Sequence, residues 1–384
     1  MRRFLCLVCL LVCLLPLCAG GEDGSFIVVE DDEAAPDARR QARALMKGMT
    51  EEEKVYQLFF VAPEDLTGES YTLQMPENNA FLRCPVGGVV LFGQNIASEA
   101  QLKALTDALQ AQARAAGAYP LFIGVHEAGG SVSRVANKLG YPMAAGPEEI
   151  GRTGDESAAR AAGEAIAAYL APLGINLDFA PPADTAVTEE SGVRERAYGA
   201  DAEEVSRLAA AMAEGLRTGG LIPCFGHFPN DGSLNKRNYY GMSSNRRTLQ
   251  EMREAEFLPF AAAVAAGAEM MMMSNGVVRA VGDDMPASLS HQMIDGVLRQ
   301  ELGYDGVVIT EALNMPAVTS FYRPGQAAVM ALQAGADLLL LPQDLDAAAQ
   351  AVFRALETGE LTWQRLDLSV ERILAIKIRS GLIR

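Results

Sequence analysis

Short unbroken apolar runs alternate along this chain with longer stretches whose apolar positions recur every three or four residues. The runs are Gly87–Phe92, Leu121–Val125, Ile175–Phe179, Leu221–Phe225, Glu269–Met273, Gly306–Ile309 and Asp337–Leu341. Each is too short for a helix and lacks in/out alternation, the pattern of a strand covered on both faces. The intervening stretches Ser98–Ala116, Glu156–Leu170, Ala202–Thr218, Leu249–Ala266, His291–Leu302, Gly325–Ala334 and Leu345–Leu356 predict amphipathic helices. A last helix is expected over 361–380. Upstream, Asp37–Phe60 reads as helical with a new start at Thr50, where Thr50 and Glu53 have capping-box spacing. Repeated β-α alternation of this kind predicts an α/β fold with a parallel sheet and helical crossovers. No glycine-rich dinucleotide fingerprint follows any run, which favours a TIM-like (β/α) barrel over an open sheet. A single domain over 37–384, with extra N- and C-terminal helices, is expected.

In such a barrel the C-terminal strand ends carry the chemistry. The run Val307-Val308-Ile309 stops at Thr310-Glu311, placing a carboxylate where a core strand ends. The corresponding positions elsewhere are Asn95, His126-Glu127, Asp178, Asp184, His227 and Asn275, with Arg134 and Arg196 in loops between. Acids, a few donors and arginines suit a ligand rich in hydroxyls. Asp184 and Asn275 also fit plain loop caps. The chain has only three histidines, so a multi-His metal site is not expected. Neither a nucleophile elbow nor a phosphate loop is present, and nothing in the pattern requires a cofactor or a metal.

Composition changes the picture in two ways. Arg2-Arg3, the apolar run Phe4–Leu17 and the small residues Ala19-Gly20 read as a signal peptide over 1–20, followed by an acidic linker over 21–36. Export without membrane insertion is therefore expected, a retained N-terminal anchor being the other reading. The formal charge is −17, and removal of Arg2 and Arg3 makes it two units more negative. Such a surface argues against nucleic acid and anionic membranes as partners. Four of the six cysteines fall in the signal segment, which leaves Cys84 and Cys224 and no disulfide framework.

Six short motifs, in order, carry a family resemblance. They are Met49–Phe59, Gly87–Phe92, Gly129-Gly130-Ser131-Val132-Ser133-Arg134, Arg196-Ala197-Tyr198-Gly199, Pro286–Ser290 and Gly306–Met315. From about Ala42 to Arg384 the chain resembles the family 3 glycoside hydrolases, in particular single-domain bacterial β-N-acetylhexosaminidases. That resemblance implies a TIM-like barrel and a retaining reaction on N-acetylglucosamine-containing glycans of the cell-wall type; a monomer is expected. It puts Glu311 at the nucleophile position and makes His126, Arg134, Arg196, His227 and Asn275 substrate-binding positions.

The departures fall on the chemistry. The family nucleophile is Asp, one methylene shorter than Glu311. The family sequence Lys-His-Phe-Pro-Gly-His-Gly-Asp is here Gly226-His227-Phe228-Pro229-Asn230-Asp231-Gly232-Ser233. The loop Asp-Ser-His that supplies the acid/base pair is Arg237-Asn238-Tyr239, the sugar-binding Asp is His126, and a His is Asn275. Two readings follow: a glycosidase with the acid/base role reassigned to Asp231 or Tyr239, or an impaired barrel serving as a carbohydrate-binding or scaffold protein.

Overall fold

A computed structural model describes residues 37–75, 80–187, 191–233 and 243–384. The signal segment 1–20, the linker 21–36 and Tyr239 lie outside the described residues. Eight strands form one sheet: β1 (Phe59–Val61), β2 (Gly88–Val90), β3 (Phe122–Val125), β4 (Leu177–Asp178), β5 (Ile222–Phe228), β6 (Met270–Met273), β7 (Val307–Thr310) and β8 (Leu339–Leu340). Each neighbour in sequence is a parallel neighbour in space, and β8 pairs with β1, Phe59 opposite Leu339. A single parallel bridge, Ile309 to Leu338, joins β7 to β8 and closes the cylinder. This is the expected barrel.

The strands lack alternation because both faces are covered, by helices outside and by packed side chains within. Phe60, Phe122 and Phe179 fill part of the interior, the Phe60 and Phe179 rings meeting edge-on at 5.5 Å between centroids. Helices Glu156–Leu170 and Ala202–Thr218 match the predicted bounds residue for residue. The Thr50/Glu53 capping box forms, with Glu53 N–H donating to Thr50 Oγ1 at 3.1 Å.

Three expectations are corrected. The pattern carries the first helical stretch through Phe59 and Phe60, but the helix stops at Tyr56 and Phe59–Val61 is β1. The run Leu58-Phe59-Phe60-Val61 follows the helix without a Gly or Pro break, so its apolar residues merge with the helical pattern. The Leu249–Ala266 stretch is two helices, Leu249–Arg253 and Leu258–Ala265, the second with Pro259 in its first turn. Gln292–Glu301 is wound as a π-helix. Cys84 and Cys224 are free thiols.

The C-terminal helix Trp363–Arg379 seals the barrel end away from the strand C-termini, and it carries a fully buried lysine. Lys377 Nζ donates to Gln57 Oε1 at 2.8 Å and to Gly87 O at 2.9 Å, and lies 4.9 Å from the centre of the Phe122 ring. Burial lowers its pKa from 10.5 to about 7. Between these values the unfolded chain holds a proton that the folded chain does not. Stability therefore rises with pH across that window, by about 1.4 kcal/mol per pH unit at most for one proton. Lys377→Met should lose this slope. Urea midpoints measured for both proteins between pH 7 and 9.5 should show the wild type gaining on the variant as pH rises, whereas parallel curves would show that Lys377 is already charged in the fold.

Candidate functional site

The strand C-termini bring together side chains far apart in sequence. His227, near the end of β5, sets its Nδ1 2.9 Å from Asp184 Oδ2. Asp184 is fully buried, and its Oδ1 accepts the Asp231 backbone N–H at 2.7 Å. Asn230 Oδ1 accepts the N–H groups of Thr185 and Gly232, which fastens the segment after β5 to the loop after β4. Gly232 has to be glycine for this close approach, because a Cβ there would lie 1.7 Å from Thr185 O. Asp231 is thereby turned inward. Its Oδ1 accepts the Ser274 hydroxyl, and its Oδ2 lies 3.4 Å from Arg196 Nη2 and 4.0 Å from His227 Nδ1.

Glu311 follows β7, and its Oε2 accepts the Asn275 backbone N–H at 2.7 Å. One side-chain atom each from His227, Asp231 and Glu311 lies within 4.8 Å of the others. That donor set could in principle hold a cation. However, the His227 Nδ1 is engaged by Asp184, and the Arg196 guanidinium already lies against Asp231. Internal cations thus balance the carboxylates, and the cluster is arranged for proton sharing.

The charges explain the protonation states. Burial alone would strip the proton from His227, but Asp184 and then Asp231 outweigh it and lift the pKa to about 9. Burial and the neighbouring Asp231 carboxylate raise Glu311 to about 7, against the partial offset of His227, the Asn275 N–H and Arg196. Asp184, despite burial, is held below the usual carboxylate range by His227, Arg196 and the Asp231 N–H. His126 is the opposite case. Burial and then Arg134, His227 and Arg196 lower it to about 3, so it is neutral at physiological pH.

His126, Arg196 and His227 line one small cavity of about 40 Å³ with Phe179, Pro181, Pro182 and Met272. The His126 ring packs on Phe179 at 4.7 Å, and its buried Nδ1 has no hydrogen-bond partner among the described residues. Arg134 lies further out. It is exposed, reaches over the Phe92 ring at 5.9 Å, and borders a neighbouring cleft that shares Val132 with the cavity.

Four residues picked out at strand ends turn out to be committed internally. The Asn275 amide donates to Ala312 O and accepts from Ser288 Oγ, so the side chain expected to meet ligand instead shapes the turn, and its backbone N–H holds Glu311. The Asn95 amide is used by Glu64, Thr72 O and the Phe92 N–H. Asp178 accepts the Glu127 N–H inside the barrel, and Glu127 holds the Val135 and Ala136 N–H groups. Sequence reasoning missed Ser274, whose only signal is a hydroxyl directly after the methionine strand. Asp184, which the sequence offers both as a strand-end candidate and as a loop cap, serves as both, but its pairing with His227 across 43 positions has no sequence signal.

Comparison with known proteins fits this geometry. The model of the glycosyl hydrolase family 3 N-terminal domain matches residues 50–376. The chain belongs to glycosyl hydrolase family 3. It is 31% identical over 324 residues to beta-hexosaminidase A of Pseudoalteromonas piscicida, covering 77% of this chain and 54% of that protein. It is 32% identical over 307 residues to the beta-hexosaminidase of Nitrosospira multiformis, covering 78% and 84%. A solved family 3 beta-N-acetylglucosaminidase from Paenibacillus sp. superposes with a TM-score of 0.82 at 33% identity, covering 87% of this chain and 63% of that one. The chain thus spans about half of the Pseudoalteromonas protein and under two thirds of the Paenibacillus chain. The family barrel therefore accounts for nearly all of the described residues.

Proposed function

We propose that this chain is a glycosidase that releases terminal β-linked N-acetylhexosamine from glycans with net retention, using Glu311 as nucleophile. The observation that carries the reading is the spacing at the barrel mouth, where Glu311 lies within 4.8 Å of both Asp231 and His227. Retaining glycosidases set their two reacting groups about 5–5.5 Å apart, whereas inverting ones need about 6.5–9.5 Å to admit a water. No such gap separates these groups. The similar proteins named beta-hexosaminidase supply the substrate class.

In this reading Glu311 attacks the anomeric carbon, and the Asn275 N–H fixes the oxygen that does not attack. Arg196 balances the negative charge of Asp231, which otherwise repels the ionised nucleophile. The neutral His126 and the apolar walls of Phe179 and Met272 exclude water beneath the sugar.

Proton NMR of an aryl β-N-acetylglucosaminide digest tests the reading directly. The β-anomer should appear first and then mutarotate. An α-anomer formed first would remove retention, and an inert protein would remove the glycosidase. A nucleophile must be ionised, so kcat/KM should climb as pH rises through about 7, the Glu311 value. A profile already flat from pH 5 would mean that Glu311 ionises as an ordinary carboxylate.

A further inference from the structure

We propose that the buried His227–Asp184 pair is the general acid/base of this barrel, taking the place of the loop His-Asp pair that Arg237-Asn238-Tyr239 replaces. This assignment rests on the glycosidase reading above and names the proton donor that reading leaves open.

Asp231 is a poor donor. Both its oxygens are already engaged, Oδ1 by the Ser274 hydroxyl and Oδ2 by Arg196 at 3.4 Å with His227 at 4.0 Å, so neither is aimed at a leaving group. His227 is placed the other way round. Its Nδ1 donates to Asp184, a fully buried acid that is itself fixed by the Asp231 N–H. That bond sets the ring orientation and leaves Nε2 as the nitrogen able to exchange a proton. The ring borders the cavity that also holds Arg196 and His126, and one of its nitrogens lies within 4.8 Å of a Glu311 oxygen. Nucleophile and donor can therefore face one glycosidic bond.

The five groups around the imidazole come from four connections of the barrel: His126 after β3, Asp184 and Arg196 between β4 and β5, Asp231 after β5 and Glu311 after β7. The acids prevail, and His227 carries its proton at neutral pH.

The two steps balance. A Glu311 oxygen bonds to the anomeric carbon as the bond to the aglycone oxygen breaks, and that oxygen takes the Nε2 proton. Asp184 then faces a neutral imidazole. In the second step water gives a proton to Nε2 as its oxygen attacks the anomeric carbon. The ester to Glu311 breaks, which restores the carboxylate and the imidazolium and frees the β-hemiacetal. Asp184 touches no reacting atom and is a positioning residue.

The test compares wild type, His227→Gln, His227→Ala and Asp184→Asn on two aryl β-N-acetylglucosaminides. The 2,4-dinitrophenyl substrate needs no proton to leave, whereas the phenyl substrate does. For His227→Gln the phenyl rate should fall by roughly a hundred- to ten-thousandfold. Glycosylation by the dinitrophenyl substrate should survive as a burst of released phenol. Azide should enter the space left in His227→Ala and restore dinitrophenyl turnover, giving the β-glycosyl azide. Asp184→Asn should bring the alkaline limb of the wild-type kcat/KM profile, expected near pH 9, to lower pH, which a merely structural aspartate would not do. Equal losses on both substrates with no azide product, or an unmoved alkaline limb, would overturn the assignment while leaving a working glycosidase. A wild type inert on both substrates would overturn the glycosidase reading and this assignment with it.

Discussion

Glu311→Gln is expected to lower turnover of an activated aryl β-N-acetylglucosaminide by at least about a thousandfold. The substitution is close to isosteric, and an amide oxygen can still accept the Asn275 N–H that now binds Oε2. It also removes a charge that sits beside Asp231. Thermal stability should therefore hold or rise while activity disappears, the signature of a reacting group and not of a packing group. Steady-state rates and a melting curve on the same preparation provide both readouts. Glu311→Asp is the sharper companion. The family pattern has Asp here, yet this turn is built around the longer side chain, so withdrawing the attacking oxygen by about 1 Å should cost on the order of a hundredfold. Substantial activity in Glu311→Gln would transfer the nucleophilic role away from the protein, most simply to the acetamido group of the substrate.

The second large effect is on stability and lies at the opposite end of the same strands. Asp337 is fully buried at the start of the β8 segment. It faces Arg299 at 2.6 Å, Arg372 at 3.2 Å and Arg365 at 3.8 Å, and accepts from Ser369 Oγ and the Val308 N–H. Burial alone would raise its pKa, but the three guanidinium groups hold it well below the usual carboxylate range. Asp337→Ala leaves three largely buried cations without their shared acid, and removing one partner of a buried pair typically costs about 3–5 kcal/mol. Because the folded value is depressed, the stabilisation is complete above the unfolded value near 4 and fades only as pH falls below it. The variant should be weakened throughout the neutral range, as a urea midpoint at pH 7 can show. A change below about 1 kcal/mol would mean that solvent or Asp305 replaces the lost charge.

The barrel was legible in the sequence because a covered parallel strand leaves an unbroken apolar run and a surface helix leaves a 3.6-residue period. Seven strands carry that mark clearly. Phe59–Val61 does not, because three residues joined directly to a helix add no break of their own. Glu311 was legible for a related reason, as a carboxylate at the end of such a run. The linkage of His227 to Asp184, of Asp231 to Ser274 and of Glu311 to the Asn275 backbone was not. Those contacts join different strand ends, and their spacing in sequence is set by the lengths of the crossovers between the strands. Asn275 shows the converse limit. A polar residue at a strand end looks the same in sequence whether its side chain meets a ligand or a neighbouring carbonyl.

The bridge between Ile309 and Leu338 closes the cylinder along one slot, and Glu311 stands two residues beyond it. Local opening of this slot would have to break the bonds from Leu338 N–H to Val308 O, Thr310 N–H to Leu338 O and Leu313 N–H to Leu340 O together. Amide exchange at Thr310 and Leu338, whose N–H groups span the slot to Leu338 O and Val308 O, would then report the breathing of the wall that carries the nucleophile. The Asp337 cluster lies at the foot of the same slot, with its carboxylate holding the Val308 N–H. A salt bridge remote from the sugar would in this way act as the clasp that keeps the catalytic wall upright.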